Sequence, residues 1–374
     1  MSHSITIMRI LMVRRPTFLA LLVILILSSC QPNISVSIDP KDTDLSAFHP
    51  EVVRGEGFTI QPDVRVFTLF AYLNGPAGWS EENGSTFPPQ RAQLRADLQN
   101  QMERLDPKMV QGWRDFYQKH KQITYRYLYY TLTLGAPPQF NYIIPVAEMK
   151  EPDIIVSLNG FNHVLAEFYQ QAGIQALFEN TYREVMMAEV RAYDQPRILT
   201  QVAYIYDYLR LDRSKVETFD VVIVPAPFDS HWDANSLNYK KRLYIVEGPE
   251  SNDYGLNTHE YLHMLMDNLI PADLAGQKNK LQAIWQANRK APYVKNYQSL
   301  HVYVEENLVR ALDHRMRSRL DPAKQVDEER VLLDEVTNGL VLEDNFYQAL
   351  AQFEQSPSLS VQDFFNEMLK TVNE

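Results

Sequence analysis

Apolar residues along this chain fall into two rhythms, and the change from one to the other marks its organisation. From Gln90 to Arg104, and again from Pro107 to Leu134, apolar positions recur every three or four residues, which predicts helices. Phe161 to Leu209 reads as two or three helices broken near Gln195-Pro196. Its stripe Phe161, Leu165, Phe168 and Tyr169 at i, i+4, i+7 and i+8 forms a packing face. Val64 to Leu73 differs: it is a nearly unbroken β-branched and aromatic run stopped by Asn74-Gly75-Pro76, which predicts a strand. Phe219 to Val224 and Arg242 to Glu247 are two further short apolar runs stopped by Pro or Gly-Pro, so they too are predicted strands. The polar loop between them carries His231 and Trp232. Within ten residues of the last strand an amphipathic helix begins, with Leu262, Leu265, Met266 and Leu269 on one face. Helical spacing returns at Lys280 to Arg289 and at His301 to Leu320, where Val302, Val309, Leu312 and Met316 mark the core side. Glu328 to Glu374 completes the chain as a helical cap. The pattern as a whole predicts a helix-rich α+β protein with a small sheet beside one amphipathic helix.

The chain's start follows different rules. Arg9, Arg14 and Arg15 precede an apolar run from Thr17 to Leu27, and small residues lead into Cys30, which together describe a secretory signal. The apolar run is shorter than the roughly 20 residues a membrane-spanning helix requires. Leu27-Ser28-Ser29-Cys30 resembles a bacterial lipoprotein signal, in which the Cys becomes the acylated first residue. Cys30 is the only cysteine among the 374 residues, so no internal disulfide competes for it. Residues 1–29 are therefore assigned to the signal peptide and 30–60, rich in Ser, Asp and Pro, to the lipidated Cys and a tether. A helical subdomain with one strand follows at 61–215, and a second region, ending in the helical cap, occupies 216–374. Gln31, not Asp, follows Cys30; by the same resemblance a Gram-negative source implies the outer membrane.

Composition narrows the function classes. Hydrophobic residues at 45% and charged residues at 22% give enough apolar surface for a sizeable core. The formal charge is −11, and residues 1–29 hold three arginines and no acid, so the remainder stands at −14. A domain that acidic is a poor partner for nucleic acid or an anionic bilayer, and the membrane is reached through the anchor at Cys30.

The chemistry is carried by His259-Glu260-Tyr261-Leu262-His263. Residues four apart on a helix project from the same side, so both imidazoles can reach one Zn²⁺ at about 2.0–2.1 Å. Glu260 is rotated about 100° from His259, too far to ligate from the same turn but placed to act as general base. With 9 His in the chain, a chance match to this motif has odds on the order of one in a hundred, and here it opens a helix with a core face. A catalytic zinc also needs a third protein ligand and an open position. Met266 and Leu269 stand where the metzincin continuation would need Gly and His. Glu305 and Glu306 on the 301–320 helix are the candidates, with Glu305 nearer the middle of the apolar stripe by spacing alone.

These two segments resemble the gluzincin clan of zinc metallopeptidases. They are more closely similar to a functionally uncharacterised group of bacterial HExxH lipoproteins with a later E-x-L-V-R-A segment. Matched to that segment, Glu306-Asn307-Leu308-Val309-Arg310-Ala311 implies Glu306 as the third ligand. Gluzincins often carry an Asp four residues after that Glu to orient a His ligand; this chain has Arg310 there. The resemblance implies a zincin-like fold, a Zn²⁺ cofactor, a peptide or protein substrate, and a cleft edged by the strand Arg242 to Glu247. Tyr254, His231, Tyr297, His301 and Tyr303 flank the motif as candidates to stabilise an oxyanion. His120, His163 and His314 lack a ligand partner at i±4 and read as ordinary residues. The expected function is a membrane-anchored zinc peptidase of the bacterial cell envelope. Its rivals are an amidase acting on cell-wall peptides and a non-catalytic binding lipoprotein of the same fold.

Overall fold

The computed structural model describes residues 53–55, 58–79, 89–143, 151–193, 195–212, 220–230, 234–239, 242–249, 255–295, 297 and 299–372. Cys30, the signal segment, His231, Trp232 and Tyr254 lie outside those residues.

A five-stranded mixed sheet divides the molecule. Its strands are β1 (Val53–Gly55), β2 (Phe58–Ile60), β3 (Asp220–Pro225), β4 (Ala234–Tyr239) and β5 (Arg242–Glu247), in the spatial order β1-β2-β3-β5-β4. β2, β3 and β5 run parallel, with Ile60 beside Ile223 and Ile223 beside Ile245, while β1 and β4 pair antiparallel on the outside. Side chains alternate between the faces of a strand, so each strand feeds two cores. Val221, Ile223, Leu243 and Ile245 face one core, and Val222, Val224, Tyr244 and Val246 face the other.

The second of these cores is built by α1 (Val64–Asn74), α2 (Pro89–Met102), α3 (Pro107–Lys119), α4 (Thr124–Leu132), α5 (Pro152–Ser157) and α6 (Phe161–Gln171). The first belongs to α7 (Arg183–Ala192), α8 (Gln195–Tyr208), α9 (Gly255–Leu269), α10 (Lys278–Asn288), α11 (Leu300–Leu320), α12 (Gln325–Thr337), α13 (Glu343–Gln355) and α14 (Val361–Thr371). The helix-rich α+β class with a small mixed sheet is thus what the chain adopts. No helix among the described residues is long and apolar enough to cross a membrane.

Three expectations need correction. Val64 to Leu73 is a helix, α1, not a strand. Every residue of α1 is buried, so it has no polar face to impose a 3.6-residue period, and a short run apolar on all sides cannot be told from a buried strand by pattern. Asp63 caps it by accepting from the Arg65 amide at 2.8 Å and also holds the buried Arg65 guanidinium, whose remaining donors reach the Leu132 and Leu134 carbonyls. Second, the loop between the two predicted strands contains β4, and Val53–Gly55 and Phe58–Ile60, inside the span assigned to the tether, are strands of the sheet. Third, Arg242–Glu247 is not an edge: β5 lies between β3 and β4, and β4 ends the sheet. Val302 also turns outward and is 41% exposed, although its neighbours Val309, Leu312 and Met316 are buried as their spacing predicts.

Candidate metal centre and active site

Two helices build the site. α9 starts just after β5, and its apolar side (Leu262, Leu265, Met266) is buried in the core shared with α11. That packing leaves His259 and His263 on the neighbouring side of α9, one turn apart, with ring centroids 4.8 Å from each other. α11 is started by Ser299, whose hydroxyl accepts from the Val302 amide at 3.2 Å. Asn307 ties it down: its side-chain amide donates to the Tyr303 carbonyl, and its oxygen accepts from the Leu342 amide at the entry to α13. With both helices fixed, Glu306 faces the imidazole pair.

The ligand atoms converge. His259 Nε2 and His263 Nε2 are 3.1 Å apart, and the Glu306 carboxylate lies 3.8 Å from the first and 3.4 Å from the second. One ligand atom from each of these three residues falls within 4.8 Å of the others. Glu305 is also buried but does a different job: its Oε1 accepts from His263 Nδ1 at 2.9 Å. Of the two acids that spacing leaves open, Glu306 faces the shared point and Glu305 lies behind the ring.

That arrangement fixes a tautomer. A carboxylate can only accept, so Nδ1 of His263 carries a proton, and in the neutral ring the lone pair lies on Nε2, toward His259 and Glu306. Two imidazole nitrogens and one carboxylate meeting at a point that neither ring can satisfy by itself is a donor set suited to Zn²⁺. Without an ion the electrostatics favour the neutral ring at His259 and the protonated ring at His263. Burial, aided by His263, lowers His259 to about 3, so its ring is neutral. Burial also opposes charge on His263, but Glu305 and Glu306 outweigh it and raise that ring well above the usual histidine value. For Glu306 burial favours the neutral acid, yet Arg310 and the two imidazoles hold it well below the usual carboxylate range. Arg310, in the position where gluzincins often have an Asp, donates from Nε to Glu306 Oε1 at 2.6 Å.

Glu260 is buried on α9 and does not join the three ligands. Burial raises its carboxyl, opposed by the neighbouring His263 and by a hydrogen bond from Ser236 of β4. Ser236 was not foreseen, because its strand was not. Of the candidate oxyanion donors that are described, Tyr297 reaches the centre, where its hydroxyl meets Glu306 and Arg310; burial, then Glu306, raises its pKa. Tyr303 points away and donates to the Gly339 carbonyl at 3.1 Å. His301 stands 4.0 Å from Glu305 at the rim, 40% exposed. The side chains of His259, His263 and Glu306 are 13%, 21% and 12% exposed, so a small part of the centre reaches solvent. His314, read as ordinary, instead sits in a buried cluster with Glu328, Glu335 and Glu343. Its partners lie on other helices, where spacing within its own helix cannot reveal them. Compared with protein-family models, curated proteins and solved structures, the chain matches none of them.

Proposed function

We propose that the protein is a zinc-dependent hydrolase of peptide bonds with a gluzincin-like site, in which His259, His263 and Glu306 hold the metal and Glu260 is the general base. The observation that carries this reading is the convergence of two Nε2 atoms and the Glu306 carboxylate on one solvent-reachable point, backed by Glu305 on His263 Nδ1. A bound zinc ion supplies Lewis acidity there, bringing water to a pKa of about 7.

Everything else falls to the chain. Glu260, on the same rigid helix, takes the proton of the attacking water and passes it to the leaving amine; its raised carboxyl pKa suits both acceptance and return. Tyr297, whose hydroxyl meets Glu306 and Arg310, is the candidate donor to a developing oxyanion, once released from Glu306. β4 ends the sheet beside α9, and its outward backbone groups suit an extended peptide substrate, which favours a peptide over other amides. Anchoring at Cys30 would hold this activity at the bacterial cell envelope.

The test is metal analysis of the full chain beside His263→Ala, with turnover of a peptide mixture followed by mass spectrometry. One equivalent of zinc at this centre, lost in His263→Ala, is expected. Glu260→Gln should keep the zinc and lose about 10²–10⁴-fold in turnover. Zinc below half an equivalent in the wild type, or unchanged turnover in Glu260→Gln, ends the reading.

A further inference from the structure

Two helical turns beyond Glu306, about 12 Å along α11, His314 opens a second cluster of a different kind. His314 Nδ1 lies 2.6 Å from Glu328 Oε2, and Nε2 lies 2.8 Å from Glu335 Oε2 and 3.4 Å from Glu343 Oε1. Each of three helices contributes: α11 gives the imidazole, α12 gives Glu328 and Glu335, and α13 gives Glu343. Ligand atoms of His314, Glu335 and Glu343 fall within 4.8 Å of one another.

Glu343 is the telling residue. Its side chain is completely buried, and apart from His314 Nε2 at 3.4 Å and the Glu335 carboxyl neither of its oxygens has a hydrogen-bond partner. An ionised carboxylate without a donor is among the costliest groups to bury, so Glu343 either keeps a proton or faces a cation. Glu335 offers it at most a shared proton, since the two Glu335 oxygens are already taken by His314 and Arg310. Glu328, Glu335 and Glu343 thus set three carboxyl groups around one imidazole, with Arg310 shared between Glu335 and Glu306. The His314 ring also has the outer support of a metal ligand: Nδ1 donates to a carboxylate while Nε2 faces the cluster.

We propose that His314, Glu335 and Glu343 form a second metal site, for a divalent first-row transition cation of the Zn²⁺ type, that staples α11, α12 and α13 together. The imidazole and the small number of oxygens disfavour Ca²⁺, which takes six to eight oxygen ligands. The side chains are 8%, 8% and 0% exposed, so this site is more closed than the first, as a structural metal requires. The cation takes the place of the Nε2 proton. Through Glu335 and Arg310, the staple also steadies Glu306.

The full chain, dialysed against Zn²⁺ and freed of loose metal, is analysed beside His263→Ala and Glu343→Gln. The isosteric Glu343→Gln keeps shape and removes one anionic ligand. Expected contents are two equivalents in the wild type and one in each variant. Zn²⁺ should also raise the melting temperature of His263→Ala by on the order of 5 °C, and should fail to do so in the double variant. One equivalent in the wild type and in His263→Ala, and none in Glu343→Gln, would support this site while sinking the first. Metal content in Glu343→Gln equal to that of the wild type overturns the proposal, whatever the first site holds. It would mean that Glu335 and Glu343 share a proton instead, and Glu343→Gln would then melt at or above the wild-type temperature.

Discussion

Glu305 and Glu306 are adjacent acids on one helix, equally buried, and the structure assigns them different work; that division can be measured. Glu306 faces both Nε2 atoms, whereas Glu305 meets His263 at Nδ1, at 2.9 Å, and His301 at 4.0 Å. Loss of a carboxylate behind a ligand His costs about 10–100-fold in metal affinity, equivalent to about 1.4–2.8 kcal/mol. Where a given variant falls in that range follows from what it leaves behind. Glu305→Gln retains an oxygen that can accept from Nδ1, so the His263 tautomer survives and only the charge is lost; about a tenfold loss is expected. Glu305→Ala removes the acceptor, frees the ring to rotate or to take the other tautomer, and should approach a 100-fold loss. Glu306→Gln deletes an anionic ligand and must exceed both.

The assay is equilibrium competition for Zn²⁺ between the protein and a chromogenic chelator at neutral pH, with circular dichroism to show that each variant is folded. The expected order of weakening is Glu305→Gln, then Glu305→Ala, then Glu306→Gln. Glu305→Gln weakening zinc as much as Glu306→Gln would refute the division of labour. No weakening by any of the three would place the metal elsewhere.

Three further outcomes follow from other parts of the molecule. Asp63→Asn leaves the fully buried Arg65 without its counter-charge and should destabilise the protein by about 3–5 kcal/mol in urea unfolding; a loss below 1 kcal/mol would mean the pair is not sealed from water. Gly339 joins α12 to α13 at φ +116°, and a Cβ there would stand 2.4 Å from the Ala291 Cβ, so Gly339→Ala should cost about 2–3 kcal/mol in thermal melts. Cys30→Ser should abolish incorporation of labelled palmitate and release the protein from the membrane fraction; continued labelling would place the acyl group on another residue.

How much of this was readable in the chain depended on which residues have to meet. α9 and α11 are amphipathic, each with a buried side and a polar side, so their apolar period fixes which residues face inward. The pair His259 and His263 needs nothing beyond one helix, and helical geometry alone puts both imidazoles on the same side. α1 failed the same reading for the opposite reason: burial on every side erased the period. β4 failed because its sequence, Ala-Asn-Ser-Leu-Asn-Tyr, belongs to the end of a sheet where backbone pairing with β5, not apolar alternation, makes the strand.

Glu305 and Glu306 lie between these cases. Their helix and their inward direction were legible, but which of the two meets the imidazoles depends on how α11 is rotated against α9, and the sequence of one helix does not contain that angle. His314 is the extreme. Its partners are 14, 21 and 29 residues away on two other helices, so a search for a second ligand at i±4 finds none and reads the residue as ordinary. The same reasoning bears on the two proposed metal sites. The one with two of its three residues on a single helix is recognisable as a motif. The one assembled across three helices has no motif to recognise, and only the convergence of His314, Glu335 and the buried Glu343 in the folded chain exposes it.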